Sequence, residues 1–368
     1  MAKRLITSIS QHFHPPPPTP LTGLRKKFKI WPALHTLRIC IKDDTWIYDR
    51  ERCALPAERA PALRHIELEI HKHELRKEHP LWLWTFPYPQ LTHLTLATAE
   101  PSVIPLGIVA RILLSSPHSL KKLSVQIDVT SVRDPEVGRL FLDHISTPRL
   151  QSLEVITYNV DRAYPIIHLL TRSRCELREL RLDFSSSALN GRRDRAPDTD
   201  RFNLRELLYL VSPTLHTLAI QCGRMDDSWL EEFSAPHLQK FVVLCFGIKK
   251  PWKMEDPDDA SAAHDAALYV LRWAEEWMKG APQEENSNRS IEFVAGSFPT
   301  MLHFRDNTEA FYGRTAYCKC ETVPTPDTVD MMVSTIRTMG GKVNVVWTTI
   351  RMHTHEEQDA WRKQKEED

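Results

Sequence analysis

The feature that most constrains this chain is a short apolar phrase that recurs eight times. Each copy usually follows a proline and contains three apolar residues. The second and third of them lie three and five positions after the first. The first apolar residues of the copies are Leu34, Leu63, Leu91, Leu120, Leu150, Leu177, Leu215 and Leu238. They stand 29, 28, 29, 30, 27, 38 and 23 residues apart. Since one residue in four is Leu, Ile, Val or Phe, a triplet arises by chance at about 1 in 60 positions, so eight in near-register indicate a repeat.

The spacing within each copy predicts a turn followed by a β-strand. The last two apolar residues are two positions apart, which places both on one face of a strand. The residues between them, such as Arg38 and Glu67, then point to the opposite face. Apolar residues at helical spacing in 134–146, 203–212 and 225–234 predict helices before three of the copies. Each repeat is therefore expected to run helix, turn, strand.

Repeats of this kind cannot bury their apolar faces alone, so they are expected to stack. Most spacings lie near the upper end of the period of leucine-rich repeats, which is about 20–29 residues. We therefore expect an α/β fold over residues 31–250, a curved leucine-rich-repeat solenoid with a parallel sheet backed by helices. The alternative is a doubly wound domain, but the fixed period and the lack of a glycine-rich phosphate turn favour the solenoid.

Three segments flank or interrupt the repeats. Residues 1–30 are expected to form a flexible N-terminal segment, in which Pro15–Pro18 favour a stiff polyproline linker over a ligand for an SH3-type groove. Residues 184–201 are polar and read as an inserted surface loop. A binding role and a merely tolerated insertion are equally open for this loop. Residues 355–368 are expected to form a charged tail.

Residues 251–354 lose the repeat and are expected to form an α/β region that caps the end of the sheet. The expected elements are a linker over 251–261, a helix over 264–280, a strand over 290–296, a hairpin within 301–322, a further helix and a strand over 343–350. Thr325 is expected to cap the second helix, Pro326 to open it and Gly340 to close it.

Composition excludes several classes of protein. Lys plus Arg and Asp plus Glu both number 48, so no net charge directs the chain to nucleic acid or to an anionic membrane. The sequence contains no run of 18 apolar residues, which a bilayer-spanning helix would need, and it shows no secretory signal. The 7 cysteines are odd in number and mostly far apart, which fits reduced thiols in the cytoplasm or nucleus.

The sequence carries no recognisable catalytic motif. A nucleophile elbow, a P-loop, a dinucleotide-binding glycine fingerprint and an H-E-x-x-H zinc motif are all missing from it. Cys318 with Cys320 and His353 with His355 could supply metal ligands, but a spacing of one intervening residue is unusual for zinc. We therefore expect no catalytic residues, no metal and no cofactor. Metal-binding or enzymatic activity in the C-terminal region is kept as an alternative.

The candidate binding residues are the polar side chains between the leucines, because repeat solenoids bind through the exposed, concave face of their sheet. The candidates on this face are His65, His93, Lys122, Glu154, Glu179, Arg181 and Lys240, and those in the inserted loop are Arg192, Arg193 and Arg195. Their mixed charge favours a protein partner. For any one residue, a merely solvated position is an equal alternative. Adjacent strands would set Glu154 beside Arg181, so some of these charges are expected to neutralise each other.

The phrases SSPHSLKKLSV, STPRLQSLEV, VSPTLHTLAI and SAPHLQKFVV resemble the divergent leucine-rich repeats of fungal F-box proteins. The resemblance covers roughly residues 31–250. It implies that the repeats present a substrate to a cullin-RING ubiquitin ligase, whose adaptor binds a preceding F-box. No F-box is visible in residues 1–30, and the usual Asn that closes each repeat is missing. We therefore expect either a ligase substrate receptor or a free-standing binding scaffold or inhibitor, with an unidentified protein partner.

Overall fold

The computed structural model of the protein describes part of the chain. The residues described are 8–12, 30–41, 57–70, 87–98, 104–105, 109, 112–114, 118–128, 145–157, 164–183, 199–222, 230, 233–247, 257–280, 283–297, 318–322 and 324–352. Contacts divide the chain into two units. Unit 1 comprises Met1–Arg181 with Glu206–Leu215, and unit 2 comprises Leu182–Arg205 with His216–Asp368. The eight copies of the phrase are thus shared between both units.

Unit 1 is built on a parallel sheet. The strands that begin in it are β1 (Ser8–His12), β2 (Thr36–Ile41), β3 (His65–Ile70), β4 (His93–Thr98), β5 (Ile104–Pro105), β6 (Lys122–Asp128), β7 (Ser152–Thr157) and β8 (Glu179–Asp183). Their order is β1-β2-β3-β4-β6-β7-β8, with the short β5 beside β6. Every pair from β1 to β7 is parallel. Six copies of the apolar phrase therefore form adjacent strands, as the spacing predicts.

Helical segments lie between the strands of unit 1. Two are short 3-10 helices, Ala57–Arg59 and Tyr88–Gln90. The longer helices are α1 (Tyr164–Ser173) and α2 (Thr199–Val211), the second of which crosses from unit 2 into unit 1. The predicted helix over 203–212 is confirmed, although it begins earlier, within the predicted loop. The predicted helices over 134–146 and 225–234 lie mostly outside the described residues.

A tight turn precedes most of the strands and places the first leucine of each phrase in the core. In the first copy, the N–H of Leu34 donates to the carbonyl of Trp31 at 3.2 Å, which closes a four-residue turn with Pro32 in its second position. The same turn is closed by Leu63, Leu91, Leu150 and Leu238. Proline suits that position because its ring already fixes the φ angle that the turn requires. The first leucines of all eight copies are at most 1% exposed.

A second hydrogen-bond pattern recurs at the start of six strands. The carbonyl of His35 accepts two N–H groups of the next repeat, from Arg64 and His65, both at 3.0 Å. The carbonyls of Arg64, Thr92, Lys121 and Gln151 each accept the corresponding two N–H groups in unit 1, and that of His216 does so in unit 2. The shared acceptor fixes the position of one strand relative to the next along the sheet. As a result, equivalent residues of successive strands lie side by side.

Unit 2 also contains mostly parallel strands. Its strands are β9 (Thr217–Cys222), β10 (Lys240–Gly247), β11 (Ser290–Ser297), β12 (Cys318–Thr322) and β13 (Lys342–Met352), in the order β9-β10-β11-β13-β12. Only β12 is antiparallel among the described strands of this unit. Helix α3 (Pro257–Lys279) packs on β10 and β11, and after the short α4 (Gln283–Asn286), α5 (Asp327–Thr338) packs on β13 and α3. The predicted α/β class, with parallel strands backed by helices, is confirmed.

Some predicted boundaries in the C-terminal region are wrong. Half of the predicted linker over 251–261 is helical, because α3 already begins at Pro257, where proline and the following acidic residues suit a helix start. Thr325 does not cap α5, whose N-cap is Pro326 without a side-chain hydrogen bond. Gly340 follows the end of that helix with a φ of 92°, as its predicted closing role requires. Most of the predicted hairpin within 301–322 lies outside the described residues, and its described part, β12, pairs with β13.

The buried leucines should dominate the stability of unit 1. We expect Leu94→Ala, at a residue that is 0% exposed, to lower the free energy of unfolding by about 2–5 kcal/mol, because it leaves a cavity. Tyr209→Ala, at a residue that is 76% exposed in the same unit, should change it by no more than about 0.5 kcal/mol. Urea unfolding of the full chain measures both. Equal losses for the two variants would contradict the placement of the core.

Candidate functional site

The polar residues that alternate with the leucines form two rows across the sheet of unit 1. We call them the polar face. The first row is Thr36, His65, His93, Lys122, Ser152 and Glu179, and the second is Arg38, Glu67, Thr95, Ser124, Glu154 and Arg181. The strand register sets neighbouring members side by side from β2 to β7. The N–H of Glu179 donates to the carbonyl of Gln151, and this hydrogen bond places Glu179 of β8 next to Ser152 in the first row.

Most side chains of the polar face are partly accessible. Lys122 is exposed, Ser124 is 5% exposed, and the other ten members of the two rows are half-buried. At about 4.8 Å per strand, the six strands β2 to β8 along each row give a face about 24 Å wide. Such a width exceeds a small molecule and suits a macromolecular partner. Six of the seven sequence-predicted residues of the sheet are brought together here.

The carboxylates of this face are held by hydroxyl groups of adjacent strands. Ser124 Oγ donates to Glu154 Oε2 at 2.5 Å, and Ser152 Oγ donates to Glu179 Oε2 at 2.9 Å. Among the described residues, Glu154 forms no ion pair with Arg181, so the predicted mutual neutralisation of that pair is wrong. The reason is that the hydroxyl of Ser124 engages the carboxylate of Glu154 from the preceding strand. Alternation of apolar and polar residues could not reveal this role of the serines.

Arg38 occupies the second row near the start of the sheet. Its Nη2 donates to Glu69 Oε2 at 3.0 Å, and its Nε lies 3.5 Å from Glu67 Oε1. These side chains are between 17% and 30% exposed, so solvent screens the pair less than on an open surface. Arg38 therefore engages both carboxylates of this part of the sheet.

Positive groups gather between these two acidic parts. The rings of His65 and His93 are 5.6 Å apart between centroids, and Thr92 Oγ1 lies 2.8 Å from His93 Nδ1. Burial lowers the pKa of His93 below its ordinary value of 6.5, and the nearby ammonium groups of Lys122 and Lys121 lower it further. In the described part of the chain, neither lysine lies within ion-pair distance of a carboxylate. Lys121 was missed by the sequence argument, although the doublet it forms with Lys122 was the available signal.

The polar face of unit 1 does not include the remaining sequence-predicted residues. Lys240, at the first position of β10 in unit 2, has its Nζ 3.7 Å from Glu292 Oε2. Arg192, Arg193 and Arg195 of the predicted loop lie outside the described residues.

The described residues contain no cluster of three or more His, Cys, Asp or Glu side chains that could hold a metal ion. Cys318 and Cys320 lie on β12, while His353 and His355 lie outside the described residues. Burial raises the pKa of the Cys175 thiol to about 11, which keeps it protonated and poorly nucleophilic at neutral pH. No described helix has the length and apolar character needed to cross a membrane.

Unit 2 contains a cavity that the sequence did not predict. Its volume is about 470 Å³, and it lies between α3 and the segment before β10. Phe233 stacks on Trp273 at 5.6 Å between ring centroids, Trp273 stacks on Trp277 at 5.4 Å, and the Arg289 guanidinium lies 4.5 Å from the Trp277 ring. The stacked side chains cover one another's faces, and Arg289 also donates to the carbonyl of Trp277. This stack fastens α3 to the sheet and offers little aromatic surface to a ligand.

The charge environment of His93 can be tested by titration. We expect its pKa, followed by NMR of the imidazole signals, to lie below 6.5, and Lys122→Gln to raise it because one neighbouring positive charge is removed. Since the folded state then binds fewer protons than the unfolded state, stability should fall as the pH drops from about 6.5 through the folded-state pKa. The variant should lessen that fall. An unchanged or lower pKa in the variant would contradict the assigned contact.

Comparison with known proteins leaves the family open. The chain matches no protein-family model, and no curated protein matches it. What the chain does must therefore be inferred from the polar face and from the fold that holds it.

Proposed function

We propose that this chain is a protein-binding module of the leucine-rich-repeat kind, which holds its partner on the polar face of unit 1. Support for the repeat comes from the shared carbonyl acceptor and the proline turn, which recur with the apolar phrase. A repeated strand with one buried and one polar side is the structural basis by which solenoids display residues for binding. The resemblance to the repeats of F-box proteins agrees with this role.

The observation that carries the proposal is the ordered array of partly exposed polar side chains on adjacent parallel strands. Ser124 and Ser152 hold two of its carboxylates in place, so those groups lose little freedom when a partner binds. Positive and negative groups occupy different parts of the same face, an arrangement that selects partners by complementary charge. Side chains held on a rigid sheet also favour a defined partner over unspecific adhesion.

A charge-reversed face should no longer bind the partner. We expect the triple variant His93→Glu, Lys122→Glu, Glu154→Lys to capture its partner from native lysate about tenfold less efficiently than the unchanged chain. The buried leucines are untouched, so circular dichroism and the midpoint of thermal unfolding should stay close to those of the unchanged chain. Mass spectrometry of the captured proteins provides the measurement.

The matched control reverses exposed charges on helices, with Glu206→Lys on α2 and Arg272→Glu on α3. This control should retain the partner. If the face variant folds and still captures every protein that the unchanged chain captures, the proposed face is wrong. The captured proteins also separate the two biological roles, since a cullin-ligase adaptor in near-equal amount supports a substrate receptor, and another protein without the adaptor supports a free-standing scaffold.

A further inference from the structure

A group of positive side chains on the polar face points to the chemistry of the partner. We call His65, His93, Lys121 and Lys122 the basic strip. Register places His65 of β3 directly beside His93 of β4, and His93 directly beside Lys122 of β6. Lys121 immediately precedes β6, and its N–H donates to the carbonyl of Thr92 at 2.8 Å. Four groups able to carry positive charge therefore lie within the span of three adjacent strands.

The charges of the two lysines are not neutralised by the acidic residues described near them. Glu154 and Glu179 accept hydrogen bonds from Ser124 and Ser152, and no ion pair joins either carboxylate to a lysine of the strip. On the other side, Glu67 and Glu69 both engage Arg38. The two lysines act on His93, whose pKa they lower. The two lysines therefore carry positive charge that no described carboxylate neutralises, and added negative charge would be stabilised beside them.

We infer that the basic strip binds a short acidic segment of the partner protein, an inference that rests on the proposed protein-binding function. Carboxylates placed between the lysines and the histidines would supply the two lysines with counter-charges that no described carboxylate provides. The strip spans three strands, about 10 Å, which matches a few carboxylates of a peptide.

The surroundings of the strip favour a peptide over nucleic acid. A nucleic-acid strand needs a groove of positive charge that follows many successive phosphates. Here Glu154 and Glu179 lie on the next two strands, β7 and β8, and would repel a phosphate backbone that continued along the face. The whole chain is also neutral, with 48 basic and 48 acidic side chains. A short acidic segment would neutralise the basic strip without approaching the carboxylates of Glu154 and Glu179.

Binding of carboxylates should depend on pH in a defined direction. The titratable and charged groups that face His93 are His65 on β3 and Lys121 and Lys122 at β6. A bound carboxylate counteracts the lysines and favours the protonated imidazole. Affinity for an acidic peptide should therefore increase as the pH falls from 7.5 to about 6, while the peptide's own carboxylates stay ionised.

The test is a fluorescence-anisotropy titration of the full chain with a labelled decapeptide of alternating Glu and Ser, at low ionic strength. We expect saturable binding that weakens with added salt, and little binding of the same peptide with Gln in place of Glu. The double variant Lys121→Gln, Lys122→Gln should bind the Glu peptide about tenfold more weakly. The matched control, Lys279→Gln with Lys342→Gln, removes two exposed lysines of unit 2 and should bind as the unchanged chain does.

Three results would overturn the inference: equal binding of the Gln peptide, equal losses in the two double variants, or tighter binding of a single-stranded DNA decamer than of the Glu peptide. The lysate capture separates this failure from that of the proposed function. If the charge-reversed face loses its partner while Lys121→Gln, Lys122→Gln keeps it, the protein-binding face stands and the acidic segment is wrong. If neither variant affects capture, both proposals are wrong.

Discussion

The shared carbonyl acceptor at the start of strands β3, β4, β6, β7 and β8 is the interaction on which the binding face depends. When one carbonyl accepts both N–H groups of the next repeat, a slip of the strand by one residue would break both bonds. Such a slip would also move the leucines to the solvent side, since successive side chains alternate between faces. Hydrogen bonding and burial therefore impose the same register. That register sets His65, His93 and Lys122 in one row.

Features that depend on local spacing could be predicted from the sequence. All eight phrases are strands, and the three apolar residues of each phrase are buried, because periodic burial leaves a direct trace in residue types. The proline turn is also a local feature, because the hydrogen bond that closes it joins residues on either side of Pro32 and its equivalents in the chain. The candidate face followed from the same alternation, which locates polar positions without reference to any distant contact.

What could not be predicted depends on neighbours that are distant in sequence. The partner of Glu154 is Ser124, 30 residues earlier, and nothing in residue type favours this serine over Arg181 as its partner. The stack of Phe233, Trp273 and Trp277 likewise joins a loop to a helix that lies 40 residues farther along the chain. The early start of α3 was missed for a different reason, because Pro257 suits both a linker and the first turn of a helix.

The separation of charge on the polar face has a physical consequence for recognition. Serines hold Glu154 and Glu179 while no described carboxylate neutralises Lys121 and Lys122, so the face keeps separate positive and negative parts that mutual ion pairing would remove. Forming such pairs would add little to stability, since exposed ion pairs contribute no more than about 1 kcal/mol. Leaving the lysines unpaired therefore costs the fold little. The same charges then remain available to steer and select a partner of complementary pattern.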